Sequence, residues 1–319
     1  MTAFCGLGEW KGVAEVYGGD GRFIGNGVDQ RHVRTPLGDN RLRIDLSFVG
    51  PFKFSGHYEI IDKGSHRVYA GPANLGVAEA VSENLVDADH YWPGIGLSQR
   101  FFLMVLPGGV KQLSFALMSR GERLVYAVIG ENDRVSTCET PDAPPESGND
   151  ETSQVAPLLF DGASVDLAAD PGAGRGSILL HRAGRYKGTL TYTNAALERA
   201  GESAYEESVE PDANGRGLKV RIAGASFAKE PANIVLATDG YNAWSQTGPM
   251  AGTYSLFGGR ALSGSFQRVG EELRVWRREV VSYDGSIKAV VHNWYRGGMR
   301  VGVAYGVLEF QPAEKPVGR

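Results

Sequence analysis

Along most of this chain apolar residues alternate with polar ones over short runs, and Gly, Asp and Asn break the runs. Leu42, Ile44, Leu46 and Phe48 form one such run, and Val301, Val303, Tyr305 and Val307 form another. A period of two puts one set of side chains on each face of an extended strand. Hairpin turns are predicted at Gly18-Gly19-Asp20-Gly21, Pro107-Gly108-Gly109 and Asp284-Gly285, where glycine takes positive φ at little cost and Asp tolerates it. The nearest approach to a helical pattern, Asn194 to Ser203, is short and broken by Gly201. Many short strands and no convincing helix predict an all-β chain. Closing each sheet into a barrel removes the edges that would otherwise aggregate.

The pattern occurs twice. Gly8-Glu9-Trp10-Lys11-Gly12 recurs as Gly184-Arg185-Tyr186-Lys187-Gly188, 176 positions on. The same offset carries Leu42-Arg43-Ile44 onto Leu218-Lys219-Val220, Gly64 onto Gly240, Gly109 onto Gly285, Arg120-Gly121 onto Arg296-Gly297 and Gly130 onto Gly306. Glycines dominate the matches because turns need backbone conformations that other residues resist. The period far exceeds the roughly 20 to 50 residues of stacked repeats, so the reading is a duplicated domain and not a solenoid. The expected organisation is a first barrel over 1–138, a linker over 139–176, a second barrel over 177–313 and a tail over 314–319. The linker is placed where Glu139 to Glu151 turns acidic, Pro-rich and poor in apolar residues.

Gly8-x-Trp10-x-Gly12 resembles the first-strand motif of lipocalin-like, or calycin, barrels, and Gly184-x-Tyr186-x-Gly188 resembles it with Tyr in place of Trp. Leu7 to Gly12 followed by Gly21-Arg22-Phe23 is similar to the uncharacterised lipocalin-like domain family common in cyanobacteria. Tandem calycin barrels also occur in carotenoid hydratases and in some natural-product cyclases. The resemblance implies two tandem lipocalin-like antiparallel β-barrels, with an interior that holds one small, largely apolar ligand. It implies no particular reaction.

Composition narrows the ligand. Thirty-three basic against 37 acidic residues leave a formal net charge of -4, without the basic excess that binding nucleic acid demands. The 42% apolar share and 44 glycines exclude a disordered chain and a coiled coil. No run of about 18 apolar residues marks a membrane span. Residues 1–9 carry no basic and apolar leader pattern, so the cytoplasm is the expected compartment. Cys5 and Cys138 are expected as free thiols there, a clasp between the first and last strands of the first barrel being the alternative.

Standard catalytic signatures are missing: no Gly-x-Ser-x-Gly, phosphate loop, His-Glu-x-x-His or Cys-x-x-Cys. Gly172 to Gly176 precedes a predicted strand instead of following one, unlike a dinucleotide loop. Asp87, Asp89 and His90 read as a solvated loop and not as metal ligands, and His90-Tyr91-Trp92-Pro93 as a loop at a barrel mouth. No metal or cofactor is expected.

Ionisable residues inside strand patterns carry the remaining signal, because burying them is costly unless they are partnered. Tyr205, Glu207 and Val209 share one strand face, opposite Asp29, Arg31 and Val33 of the first copy at the common offset. Inside an apolar barrel Glu207 would have a raised pKa and serve as a general acid or base. His292 and Trp294 share a face, with Tyr295 on the other; an imidazole beside an indole suits proton transfer to a flat apolar ligand, or a structural contact. Arg277 and Glu279 stand where the first copy has Phe101 and Leu103, which favours an inward, ligand-anchoring place. Glu207, His292 and Tyr205 are thus the catalytic candidates, and Trp294, Arg277, Glu279, Tyr295 and Trp276 the ligand-binding ones. The expected function is a cofactor-independent isomerase, cyclase, hydratase or lyase acting on a small apolar molecule, with a non-catalytic carrier or sensor as the alternative and a homodimer left open.

Overall fold

The computed structural model describes residues 5–49, 53–71, 74–79, 81–93, 96–137, 183–211, 217–224, 233–238, 242–247, 250–268 and 270–313. The chain divides into two compact units, Met1–Val165 and Asp166–Arg319. The linker expected over 139–176, the tail over 314–319, Cys138 and Gly172 to Gly176 lie outside the described residues. Cys5 is a free, exposed thiol.

In the first unit ten strands follow one another: β1 (Gly8–Gly18), β2 (Phe23–Gly38), β3 (Arg41–Val49), β4 (Lys53–Asp62), β5 (His66–Ala70), β6 (Leu75–Glu79), β7 (Leu85–Trp92), β8 (Leu97–Val105), β9 (Lys111–Arg120) and β10 (Arg123–Ser136). Each pairs antiparallel with the next, and β10 returns to β1, so the sheet closes without an edge. The second unit repeats the plan with β11 (Gly184–Asn194), β12 (Arg199–Pro211), β13 (Gly217–Gly224), β14 (Asn233–Thr238), β15 (Asn242–Thr247), β16 (Met250–Phe257), β17 (Ala261–Arg268), β18 (Leu273–Val281), β19 (Ile287–Arg296) and β20 (Met299–Pro312), closed by β11 against β20. No helix among the described residues is long and apolar enough to cross a membrane.

The repeated glycines have identifiable tasks. Gly109 and Gly285 have φ of +68° and +72°, and Gly121 and Gly297 +60° and +55°, at the matched hairpins of the two barrels. Gly12 and Gly188 work differently. A Cβ on Gly12 would strike the carbonyl of Glu131 on β10, and one on Gly188 the carbonyl of Val307 on β20, so these positions let the closing strands approach. The segment Asn194 to Ser203 forms a turn and a strand, because Asn194 Oδ1 accepts from the N–H groups of Ala196 and Glu198 at 2.9 and 3.0 Å.

Alternation sorts the side chains. Trp10, Ile44, Tyr58, Ile60, Tyr69 and Leu103 are part of the interior of the first barrel. Tyr186, Leu190, Val209, Ile222, Val290 and Leu308 belong to that of the second. One bulge breaks the correspondence between them. Ala14 of β1 pairs with Gly27 of β2 but Gly12 with Gln30, so β2 carries an extra residue that β12 lacks, where Leu190 pairs with Ser203 and Gly188 with Tyr205. Trp10 is therefore paired in register with His32 where Tyr186 is paired with Glu207, and the expected match of Glu207 with Arg31 is one residue out. A slip of one exchanges the faces of a strand.

Asp87, Asp89 and His90 lie on β7, not on a loop, and the strand continues through Trp92. The aromatic run that suggested a barrel mouth suits a pleated wall equally well, and Pro93 follows immediately after the strand. His90 is buried, while Asp89 pairs with Arg100 at 3.2 Å with more than half of its side chain exposed.

Candidate functional site

Strands β12, β18 and β19 turn six of the expected residues into the second barrel. Tyr205 and Glu207 come from β12, Arg277 and Glu279 from β18, His292 and Trp294 from β19, and none is more than 3% exposed. Trp276 and Tyr295, each one position along from an inward residue, face the other way. Trp276 donates from Nε1 to Ser263 Oγ at 3.2 Å beneath the guanidinium of Arg278, and Tyr295 lies under that of Arg274. The pair was expected to bind ligand; the pleat takes both out of the interior.

The inward groups close on one another. Arg277 Nη2 donates to Glu207 Oε1 and to Glu279 Oε1, both at 2.6 Å. Lys288 Nζ donates to Glu207 Oε2 at 2.6 Å and to Glu279 Oε2 at 3.2 Å. Two carboxylates and two cations thus form a neutral ring. Tyr205 donates its hydroxyl to Glu207 Oε1 at 3.0 Å, and His292 Nε2 lies 3.3 Å from Glu279 Oε1. Lys288 Nζ also sits 4.7 Å above the ring of Tyr186.

Electrostatics follow from this packing. Burial pushes the Glu279 carboxyl up, but Arg277, Lys288 and His292 outweigh it and hold the group well below the usual carboxylate range. Burial also works against the charge of Lys288, and Glu207, Glu279 and Tyr186 hold its ammonium above the ordinary lysine value. The apolar surroundings expected for Glu207 are in fact two cations and a phenol. Lys288 was not among the sequence candidates, though a lone cation in Ile287-Lys288-Ala289-Val290-Val291 was a visible signal.

The first barrel holds an open space of about 380 Å³. Leu42, Ile44, Ile60, Val86, Phe101 and Leu103 make its apolar wall, and the β2–β3 turn at Gly38 to Arg41 its rim. Arg34, Tyr58 and Tyr69 interrupt that wall. Arg34 is 4% exposed, and its Nη1 donates to the Gly6 carbonyl at 3.0 Å and to Gln112 Oε1 at 2.9 Å. Gln112 in turn donates to Asn132 Oδ1 at 3.2 Å, and Trp10 Nε1 donates to the same Gly6 carbonyl at 2.9 Å. Burial pulls Arg34 down to about 10, against the opposing influence of the Tyr58 and Tyr69 phenols. Burial likewise pushes Tyr58 up to about 12.

Beside this wall stands His90. Its ring meets Tyr69 edge-on at 4.4 Å, with Phe101 at 6.1 Å and Tyr58 at 6.4 Å. Nδ1 lies 2.7 Å from Asn74 Nδ2 and 2.9 Å from Asn74 Oδ1, whereas Nε2 is buried without a hydrogen-bond partner. Burial takes the imidazole down to about 3, so it is neutral at neutral pH. None of Arg34, Tyr58, Tyr69 and His90 stood among the expected site residues.

No family model matches the chain, and no curated protein does. Among solved structures the fold is similar to that of a protein of unknown function from the DUF3598 family of Nostoc punctiforme, with TM-score 0.56, 13% identity, and coverage of 98% of this chain and 99% of that one. This is a likeness of fold, and it agrees with the expected resemblance to a cyanobacterial lipocalin-like family. Transferrin binding protein B of Neisseria meningitidis aligns over 95% of this chain and 76% of its own at 8% identity, with TM-score 0.23. Kievitone hydratase of Nectria haematococca aligns over 98% and 91% at 9% identity, with TM-score 0.17. The last two scores are too low to bear an argument.

Proposed function

We propose that the first barrel binds one small, largely apolar molecule, and that the second is chiefly its structural companion. The observation that carries this reading is the space of about 380 Å³ with an apolar wall and a few polar groups. That is the usual make-up of a small-molecule site, and the volume lies in the usual range of about 300 to 1,000 Å³. The ionisable groups of the second barrel, which suggested catalysis, are engaged with one another. Withdrawing a proton or a charge from such a ring leaves a buried charge uncompensated.

Turnover is the second reading. In its favour, Tyr205, Glu207 and His292 lie within one barrel interior, a phenol, a carboxylate and an imidazole gathered round Arg277 and Glu279. On this reading the chemistry is a cofactor-independent isomerisation, cyclisation, hydration or elimination.

Calorimetric titration with 1-decanol and with 2-naphthol distinguishes the two. One molecule is expected to bind per chain and to be recovered unchanged. Ile44→Trp and Leu103→Trp, which fill the space, are expected to abolish binding, while Glu207→Gln leaves it intact in whatever fraction folds. Binding undiminished in both tryptophan variants would remove the first barrel as the site, and conversion of a bound compound lost on Glu207→Gln would establish the catalytic reading.

A further inference from the structure

Two of the polar groups in the cavity wall are phenols whose hydroxyls bond to nothing in the protein. Tyr58 on β4 and Tyr69 on β5 both line the space, at 9% and 3% exposure. Tyr58 is paired across the sheet with Ile44 and Tyr69 with Ile60, so apolar surface flanks each. Their rings lie 5.5 Å apart, tilted by 38°, and the His90 ring meets Tyr69 edge-on at 4.4 Å. These ring contacts fix the two side chains without engaging either hydroxyl. Among the described residues neither hydroxyl has a hydrogen-bond partner.

Three other buried tyrosines differ. Tyr17 donates to Glu15 Oε2 at 3.2 Å, Tyr186 to the Gly285 carbonyl at 3.1 Å and Tyr205 to Glu207 Oε1 at 3.0 Å. A buried hydroxyl left without a partner is costly, and a ligand that displaces water from one loses affinity unless it bonds there itself. Burial also decides what the pair offers. It pushes Tyr58 up to about 12 and raises Tyr69 as well, against the opposing influence of Arg34 on both and of Arg67 on Tyr69. Each phenol is therefore uncharged at neutral pH, with one O–H to donate. A carbonyl oxygen has two lone pairs and no hydrogen, so it can accept from both. An alcohol in the same place must also find an acceptor for its own hydrogen. A phenol oxygen, whose lone pair is shared with the ring, is a poor one.

From this pair we infer that the first barrel selects a small, uncharged carbonyl compound, a ketone or an ester. Its oxygen lies against the hydroxyls of Tyr58 and Tyr69 and its apolar body against Leu42, Ile60, Val86 and Leu103. The inference rests on the proposed binding role of this barrel and adds the chemical class of the ligand. Size bounds it further. At a share of roughly 30 Å³ for each water-sized unit of liquid, the space takes about a dozen non-hydrogen atoms. A flat aryl ketone of that size fits.

The test compares 2-acetylnaphthalene, 1-(2-naphthyl)ethanol and 2-ethylnaphthalene, which share one frame and differ at the oxygen, by titration calorimetry at pH 7. Wild type is expected to bind the ketone about tenfold more tightly than the hydrocarbon, and several-fold more tightly than the alcohol. The carbonyl stretch of the bound ketone, isolated by isotope-edited infrared spectroscopy, should fall below its position in hexane. Tyr58→Phe and Tyr69→Phe should each remove part of the preference and part of the infrared shift. The double variant should remove both while keeping the affinity for 2-ethylnaphthalene within about threefold of wild type. Each substitution deletes one oxygen that bonds to nothing in the protein, so the variants should fold, and the ranking in wild type stands by itself if one does not. Hydrocarbon or alcohol bound as tightly as ketone by wild type, or a preference and a shift that survive the double variant, would overturn the inference and leave the binding role standing. Binding of none of the three would instead refute the binding role itself.

Discussion

Lys288 Nζ and Glu207 Oε2 lie 2.6 Å apart inside the second barrel, though 81 residues separate them in sequence. Both are almost wholly buried, at 2% and 1% exposure. Removing one member of such a pair strands its partner in a medium that solvates charge poorly. Lys288→Met is therefore expected to destabilise the protein by about 3 to 5 kcal/mol. Urea unfolding followed by tryptophan fluorescence measures this, and a loss below about 1 kcal/mol would mean that the ring contributes little.

Glu279 gives the ring a pH signature. Its carboxyl is held low in the fold, so its contribution to stability is present above the unfolded value of about 4.3 and is lost as pH falls through the lower folded value. Arg277, Lys288 and His292 are the groups that face it. The unfolding midpoint is expected to drop as pH decreases below about 4.3, and Glu279→Gln to remove that part of the drop. An unchanged profile in the variant would assign the acid sensitivity elsewhere.

His90 acts in a different window. A histidine held neutral by burial binds its proton more readily in the unfolded chain, so stability rises with pH between the folded value of about 3 and the unfolded value of about 6.5. The slope for one such group is about 1.4 kcal/mol per pH unit. Unfolding midpoints at pH 7, 6 and 5 should decline accordingly, and His90→Gln should flatten the decline. Imidazole resonances of His90 that titrate near pH 6.5 in the native protein would contradict this.

Gly12 tests how the barrel is closed. A methyl group there would meet the Glu131 carbonyl and lie 2.6 Å from Asn132 Cα, both main-chain atoms of β10. Gly12→Ala should cost about 1 to 3 kcal/mol of stability, read from the urea midpoint. Gly64→Ala meets no neighbouring atom; its cost is the positive φ of +88° alone.

Much of the architecture was legible because the chain states it twice: a turn glycine seen at Gly109 and again at Gly285 is better evidence than either alone. The inward place of Arg277 and Glu279 was legible for a related reason. Phe101 and Leu103 occupy the matched places, and apolar counterparts mark an interior face. What escaped was whatever depends on register or on empty space. The extra residue in β2 moved His32, not Arg31, opposite Trp10, and Gly27 beside it was the one sequence hint of a bulge. The cavity of the first barrel is the volume that side chains from six strands leave unfilled. It is a property of their sum, invisible at Arg34, Tyr58 or Tyr69 taken singly. His90 was hidden by the company of Tyr91 and Trp92, whose bulk serves a loop and a strand alike.

The ring of charges also fixes a direction in time. In the first barrel the places of Arg277, Glu279 and Lys288 are held by Phe101, Leu103 and Gln112, residues without formal charge. If both copies descend from one ancestor, a lineage that has acquired the ring cannot leave it one substitution at a time, because each single reversal passes through a protein carrying a stranded ion in its core. Two opposite charges must change together. Elsewhere the second copy is free to wander back toward the first, but at these positions its divergence behaves as a ratchet, and descendants of the chain are expected to keep the whole set or to have lost it in concert.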